Sequence, residues 1–245
     1  MKDIVFTGKV VVVTGAASGM GLMVSQEFAR LGAKVVMFDI HGVALQKVVA
    51  DIGPAAVACP GDVRRFEDAE QAAKEAAKLG GCDILVACAG GNEARVCNSH
   101  VPFYEQPIDV LDWGIDVNLK GPIYFARACM PQMVAKEGGV IVCIGSVTGF
   151  EGDGSGTMYG TAKSGLFNFV KGLALAGGPH NVRALCVSPG PVLTRAAMGN
   201  MKTALGRAAE VHELVDTILF MCSENASFIT GSNHVVDGGR LCMFR

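Results

Sequence analysis

The tightest constraint on how this chain can fold is the run Val10–Gly21, VVVVTGAASGMG. Four consecutive valines are too continuous for a strand with one wet face. They read as a parallel strand buried on both sides. Thr14 ends the run, and Gly15, Gly19 and Gly21 punctuate the turn into a helix that begins near Ser18 and Met20. Glycine lets a backbone turn sharply and lets a ligand come close, because no Cβ intervenes. The unpaired N–H groups at the start of that helix suit a pyrophosphate. The spacing is G-x-x-x-G-x-G and not the G-x-G-x-x-G of the general dinucleotide fingerprint, so a glycine turn with no ligand stays open at this point.

Strand and helix patterns alternate along the whole chain. Strands are expected at residues 9–14, 34–39, 55–59, 83–88, 140–145, 182–187 and 234–236. Helices are expected at 20–31, 43–52, 67–79, 108–136 (bent near Pro122), 157–176 and 210–222. Such alternation predicts an α/β fold, a doubly wound parallel sheet of about seven strands with helices on both faces, over residues 1–245 as one domain. With half of its 245 residues apolar, the chain can fill one large core. A net charge of −2 offers no basic surface for nucleic acid or for an anionic membrane, and no run is long and apolar enough to span a bilayer. Residues 1–8 do not resemble a signal peptide. The nine cysteines form no C-x-x-C pair and no Cys/His cluster with zinc spacing, so no metal site is expected. Their odd number argues against a disulfide framework and for a reducing cytoplasm.

Ligands in open α/β sheets sit beyond the carboxyl ends of the strands. After the second strand comes Asp39, followed by Ile40. A carboxylate there can accept both ribose hydroxyls of an adenosine and repels a 2′-phosphate, which favours NAD over NADP; Asp39 as a helix N-cap is the competing reading. Asp62-Val63 follow the third strand, placed for the adenine edge, and Cys88-Ala89-Gly90 close the fourth, where the backbone can approach a dinucleotide.

Tyr159 and Lys163 stand four apart on a helical pattern and address one volume. Ser146 follows the strand 140–145, so its hydroxyl is expected at the carboxyl end of the sheet. Asn118 falls in mid-helix, an awkward place for asparagine. Each residue has a plain structural reading alone: a surface pair, a cap, a kink.

Taken together these segments closely resemble the short-chain dehydrogenase/reductase family. The resemblance runs through TGAASGMG, Asp39, Asp62-Val63, CAG at 88–90, Asn118 in VNLKG, Ser146 in IGSVTG, YGTAK at 159–163, SPGPVLT at 188–194 and VDGG at 236–239. It implies a Rossmann-type domain, a nicotinamide cofactor, a homotetramer or dimer, and a catalytic tetrad mapping onto Asn118, Ser146, Tyr159 and Lys163. It also implies cofactor contacts from Pro189, Gly190, Val192 and Thr194. The family usually carries Asn-Asn before Ala-Gly after the fourth strand, whereas this chain has Ala87-Cys88. That departure leaves open which side chains fix the strand end.

The residue types fit moving a hydride between a secondary alcohol and a nicotinamide, which requires moving a proton on the oxygen. A phenol, with an ordinary pKa of about 10, is too weak an acid to act as a base at neutral pH. An ammonium ~5 Å away, at an effective dielectric of ~20, supplies roughly 3 kcal/mol toward ionising it. Tyr159 is then the general acid/base, tuned by Lys163, which also holds the ribose. Ser146 orients the substrate oxygen, and Asn118 holds a water in a proton relay.

Substrate choice is expected in three loops, 91–107, 147–156 and 191–207. The first offers Asn92, Glu93, Arg95, His100 and Tyr104, polar groups suited to a hydroxylated or acidic small molecule, with Arg95 facing a carboxylate. Thr148 belongs to the second. Met198 and Met201 of the third equally suit a steroid or another apolar alcohol. A dinucleotide-binding sensor without catalysis is the remaining alternative, and the intact tetrad argues against it.

Overall fold

The structure, a computed structural model, describes residues 2–152 and 154–243. It is built around a seven-stranded sheet, all of whose pairings are parallel, in the order β3-β2-β1-β4-β5-β6-β7. The strands are β1 (Val10–Thr14), β2 (Lys34–Asp39), β3 (Ala56–Pro60), β4 (Ile84–Ala87), β5 (Gly139–Ile144), β6 (Val182–Pro189) and β7 (Asn233–Val236). Each lies within two residues of its expected bounds at either end.

The four valines behave as their continuity requires. Val11 and Val13 face one side of the sheet, with Val24 and Phe28 of helix α1 (Gly19–Arg30) and Leu214 and Ile218 of α8 (Val211–Cys222). Val10 and Val12 face the other side, with Ala69, Ala72 and Ala76 of α3 (Phe66–Lys78), Phe125 and Cys129 of α6 (Gly121–Ala135), and Leu166 and Val170 of α7 (Thr157–Gly177). The alanines of α3 are its small inward residues and let it lie close to the sheet. Helix α2 (Gly42–Ile52) packs beside β2 and β3 through Leu45. No helix among the described residues is long and apolar enough to cross a membrane.

The long helix expected at 108–136 is two helices. A short α5 (Ile108–Ile115) runs into a π-helical stretch, Asp116–Lys120, before α6 begins. The irregularity precedes Pro122. Proline in a first helical turn lacks only an N–H that would have no helical partner anyway, so it costs α6 nothing there. Asn118 lies inside the π stretch, and such single-turn widenings gather at functional sites.

Candidate active site

The site assembles where strand order reverses, between β1 and β4, the place at which open α/β sheets leave a crevice. Gly15 adopts φ +68°, and a Cβ there would stand 2.9 Å from Cα of Ala89, so only glycine lets the two strand ends approach. Thr14 ties them together: its hydroxyl accepts the Ala89 N–H at 3.0 Å. Ser18 is the N-cap of α1, yet its side chain makes no cap bond, and the first turn holds no acidic residue. The N–H groups of that turn therefore face the crevice without a carboxylate.

Asp39 ends β2, buried. Its oxygens accept the Ala17 N–H at 3.0 Å, the His41 N–H at 2.9 Å and contact the His41 ring at 3.0 Å. It is not the N-cap of α2; His41 holds that position. The carboxylate thus binds the glycine turn to the end of β2, while Ile40 beside it is exposed. The carboxylate of Asp62 is engaged by Arg64, whose guanidinium reaches it at 2.6 to 3.0 Å and holds it below the usual carboxylate range. The side chain of Val63 is buried, where it packs against Gly121.

The strand end that lacks the usual asparagines is held by Asn118. This buried amide accepts the Gly91 N–H at 2.9 Å and donates to the carbonyls of Gly91 and Gly114, each at 2.9 Å. Its side-chain hydrogens are therefore spent on backbone, and the side chain has none left to give a relay water. A Cβ on Gly90 would fall 2.5 Å from Asn118 Oδ1 and 3.3 Å from Lys163 Nζ, so only a residue without a side chain lets the strand end close on both groups. Burial pushes the Cys88 thiol up to about 12, with Lys163 pulling it the other way, so this thiol is an inert wall of the site.

Ser146 leaves β5 and caps a short 3-10 turn, Val147–Gly149. Its Oγ accepts the N–H of Thr148 at 3.1 Å and the hydroxyl of Thr148 at 2.8 Å. Tyr159 and Lys163 lie in the first two turns of α7, with Lys163 Nζ 5.4 Å from the Tyr159 ring centre. Lys163 is only 3% exposed and donates to the Ile144 carbonyl at 2.7 Å. The carbonyl of the last residue of β5 thus draws the ammonium in beside the phenol.

Pro189 ends β6 against β7, and Gly190 just beyond it donates to the Val236 carbonyl at 3.0 Å. Val192 is buried and bridges to Ala209. Thr194 lies early in the 191–207 segment, its methyl 4.0 Å from where a Cβ on Gly19 would be. That segment thus faces the start of α1 across the crevice.

The 91–107 loop differs from expectation in one residue. Glu93 does not face a substrate. It is 2% exposed, and its oxygens accept the N–H groups of Met158 at 2.8 Å and Tyr159 at 3.0 Å. Asn92 caps the single helical turn α4 (Glu93–Val96), accepting the Arg95 N–H. Arg95 lies outside; partial burial, then Arg195, hold its guanidinium below the ordinary arginine value, and Tyr159 opposes them. His100 and Tyr104 are exposed. Within 147–156, Asp153 lies outside the described residues. One contributor has no motif of its own: Arg195, which acts on Arg95.

These features define a crevice at the sheet's point of reversal, with the Tyr159–Lys163 pair of α7 and Ser146 at the end of β5. The chain matches the family described as enoyl-(acyl carrier protein) reductase across residues 15–240. It belongs to the short-chain dehydrogenase/reductase family of nicotinamide-dependent oxidoreductases acting on CH–OH groups. It is 36% identical to meso-2,3-butanediol dehydrogenase of Serratia marcescens over 96% of this chain and 95% of that protein. It is 33% identical to 2-dehydro-3-deoxy-L-rhamnonate dehydrogenase (NAD(+)) of a Sphingomonas species over 96% of each. Among solved structures, 7α-hydroxysteroid dehydrogenase complexed with NADH and 7-oxo glycochenodeoxycholic acid superposes with a TM-score of 0.86, at 28% identity, over 98% of each chain.

Proposed function

We propose that this enzyme moves a hydride between NAD(H) and a secondary alcohol or ketone that also carries a carboxylate, such as a sugar acid or another hydroxy acid. The observation that carries the substrate class is Arg95. It stands within electrostatic reach of Tyr159 and of a second cation, Arg195, and among the described residues no carboxylate pairs with it. A guanidinium that feels both the proton-transfer group and a second cation asks for an anion. Relatives with acidic substrates in their names, the rhamnonate dehydrogenase and the structure holding 7-oxo glycochenodeoxycholic acid, support the same reading. Met198 and Met201 keep an apolar alcohol as the second reading, and an acidic steroid would satisfy both.

The proposed roles follow from donor counts. Ser146 Oγ accepts twice from Thr148, so its own proton remains for the substrate oxygen. Lys163 spends one of three hydrogens on Ile144 and keeps two for a ribose and for the neighbourhood of the Tyr159 hydroxyl. Tyr159 takes the alcohol proton in oxidation and returns it in reduction. The nicotinamide, when bound, supplies the hydride chemistry. Gly15, Ser18, Gly19, Met20 and Gly21 would hold the pyrophosphate on their backbone, with Asp39 at the adenosine ribose. Ile40, Asp62, Val63, Cys88, Ala89 and Gly90 line the same cleft, with Pro189, Gly190, Val192 and Thr194 at the carboxamide. Asn118 holds the strand end, and Thr148 and Asn92 flank the substrate. The negative charge of Asp39 favours NAD over NADP.

The assay is NADH formation across hydroxy acids, sugar acids, polyols and hydroxysteroids. Turnover is expected to be highest with a carboxylate-bearing alcohol, with Arg95→Ala raising its KM about tenfold and sparing neutral alcohols. Higher efficiency with an uncharged alcohol in the parent enzyme would reject the substrate class. Tyr159→Phe is expected to abolish turnover and keep NADH binding. We further propose a cytoplasmic homo-oligomer, a dimer or tetramer, supported by Leu175 of α7 and Phe228, which are 81% and 102% exposed; light scattering tests it.

A further inference from the structure

We infer that Glu93 is a positioning residue for Tyr159, and that its charge sets the pH at which the phenol works. The inference rests on the reading of Tyr159 as the proton-transfer group.

Helix α7 has a glycine at its N-cap, Gly156, which brings no side chain to the helix end. The first-turn N–H groups need acceptors, and a capping side chain normally supplies one. Here a carboxylate from another loop does so. Glu93 takes the N–H of Met158 at 2.8 Å and of Tyr159 at 3.0 Å, one on each oxygen. The residue is 2% exposed, and among the described residues no cation bonds to it. Among the described residues, this buried carboxylate is held by the helix end. Its Cδ would sit 3.4 Å from a Cβ on Gly114, so α5 closes over it from the other side. One of its two hydrogen bonds goes to the backbone of the very residue whose phenol moves the proton. The same short segment carries Arg95 and, through Gly91, the bonds to Asn118. The loop that meets the substrate and the helix that bears the phenol are thereby locked in one register.

The charge has a second effect. A tyrosine spans roughly 7 Å from backbone nitrogen to phenol oxygen, which places the carboxylate within about 10 Å of that oxygen. A negative charge there disfavours the tyrosinate and offsets the positive end of the α7 dipole. The other titratable groups facing the pair are Lys163 from α7 and Arg95 and Cys97 from the loop, with Asp109 of α5 facing Cys97. Lys163 and Arg95 bring positive charge to this neighbourhood, and Glu93 brings the opposing negative charge.

The test compares the parent, Tyr159→Phe, Glu93→Gln and Glu93→Asp on whichever secondary alcohol the parent oxidises. Glu93→Gln keeps the volume and removes the charge. The acidic limb of its kcat/KM profile is expected to move down by about one pH unit. The kcat is expected to fall about tenfold, because an amide accepts only one of the two N–H groups well, while the KM for NAD stays within twofold. Glu93→Asp keeps the charge on a shorter stem. It is expected to restore the limb to the parent's position with kcat still reduced. An unmoved limb and parental kcat in Glu93→Gln would overturn the inference. So would a limb that moves equally in both variants. Should Glu93→Gln fail to fold, Glu93→Asp decides: parental kcat there overturns the inference, and reduced kcat with an unmoved limb and parental KM for NAD supports it. Turnover retained by Tyr159→Phe would defeat the reading of Tyr159 instead, which separates the two failures.

Discussion

Asp39 carries local architecture and, on the proposed preference for NAD, cofactor selectivity as well. Its oxygens hold Ala17 in the glycine turn and His41 at the start of α2, and the carboxylate is almost out of solvent. A 2′-phosphate arriving at the end of β2 would meet that buried negative charge, which is poorly screened by salt. Asp39→Asn keeps the shape and removes the charge. The ratio of kcat/KM for NADP over NAD is expected to rise about tenfold, the size of effect that 1.4 kcal/mol produces. Steady-state kinetics with the two cofactors check this, and an unchanged ratio would mean that other groups set the preference. The sequence made Asp39 legible because the position just past a buried strand is itself informative. It could not show that the carboxylate grips the turn it follows, since Ala17 lies 22 residues earlier.

Among the elements, the helix pair α5 and α6 depends on how one buried amide is used. Asn118 satisfies the Gly91 N–H and the carbonyls of Gly91 and Gly114 from within a widened helical turn. Asn118→Asp preserves size and the acceptor facing Gly91, but turns a donor into an acceptor aimed at two carbonyls. Leaving buried groups unpaired costs about 1–3 kcal/mol each. For a chain of this length each kcal/mol moves the thermal midpoint by about 2–4 °C, so a loss on the order of 5–10 °C is expected in a thermal scan. A midpoint equal to the parent's would refute the accounting. The strands and most helices were readable because continuous valines and spaced alanines state their burial directly. The sequence points to a bend near Pro122, and the break falls just before it at Asp116–Lys120, because proline is the loudest residue in that stretch and is harmless where it stands. The sequence shows Glu93 only as one of several polar residues in a loop, because its partners lie 65 and 66 residues away. Residue type reports what a group can do, and only the closure of the fold decides which neighbour receives it.

Across the whole molecule, the crevice draws on both halves of the sheet. β1 and β2 contribute the glycine turn and Asp39, while β4, β5 and β6 contribute Gly90, Ser146 and Pro189, with α7 behind them. Unfolding scatters all of these, so the unfolded chain has no means of binding a dinucleotide. A ligand that binds only the folded state stabilises it by about 2.7 kcal/mol at a hundred times its dissociation constant. At about 2–4 °C per kcal/mol, NAD at such an excess is expected to raise the thermal midpoint by roughly 5–10 °C. NADP at the same concentration is expected to raise it less, because its extra phosphate opposes Asp39. The same scan on Asp39→Asn should narrow the gap between the two cofactors, linking the global readout to the local charge. If saturating NAD leaves the parent's midpoint unmoved, the crevice does not bind it, and the glycine turn has only a structural role.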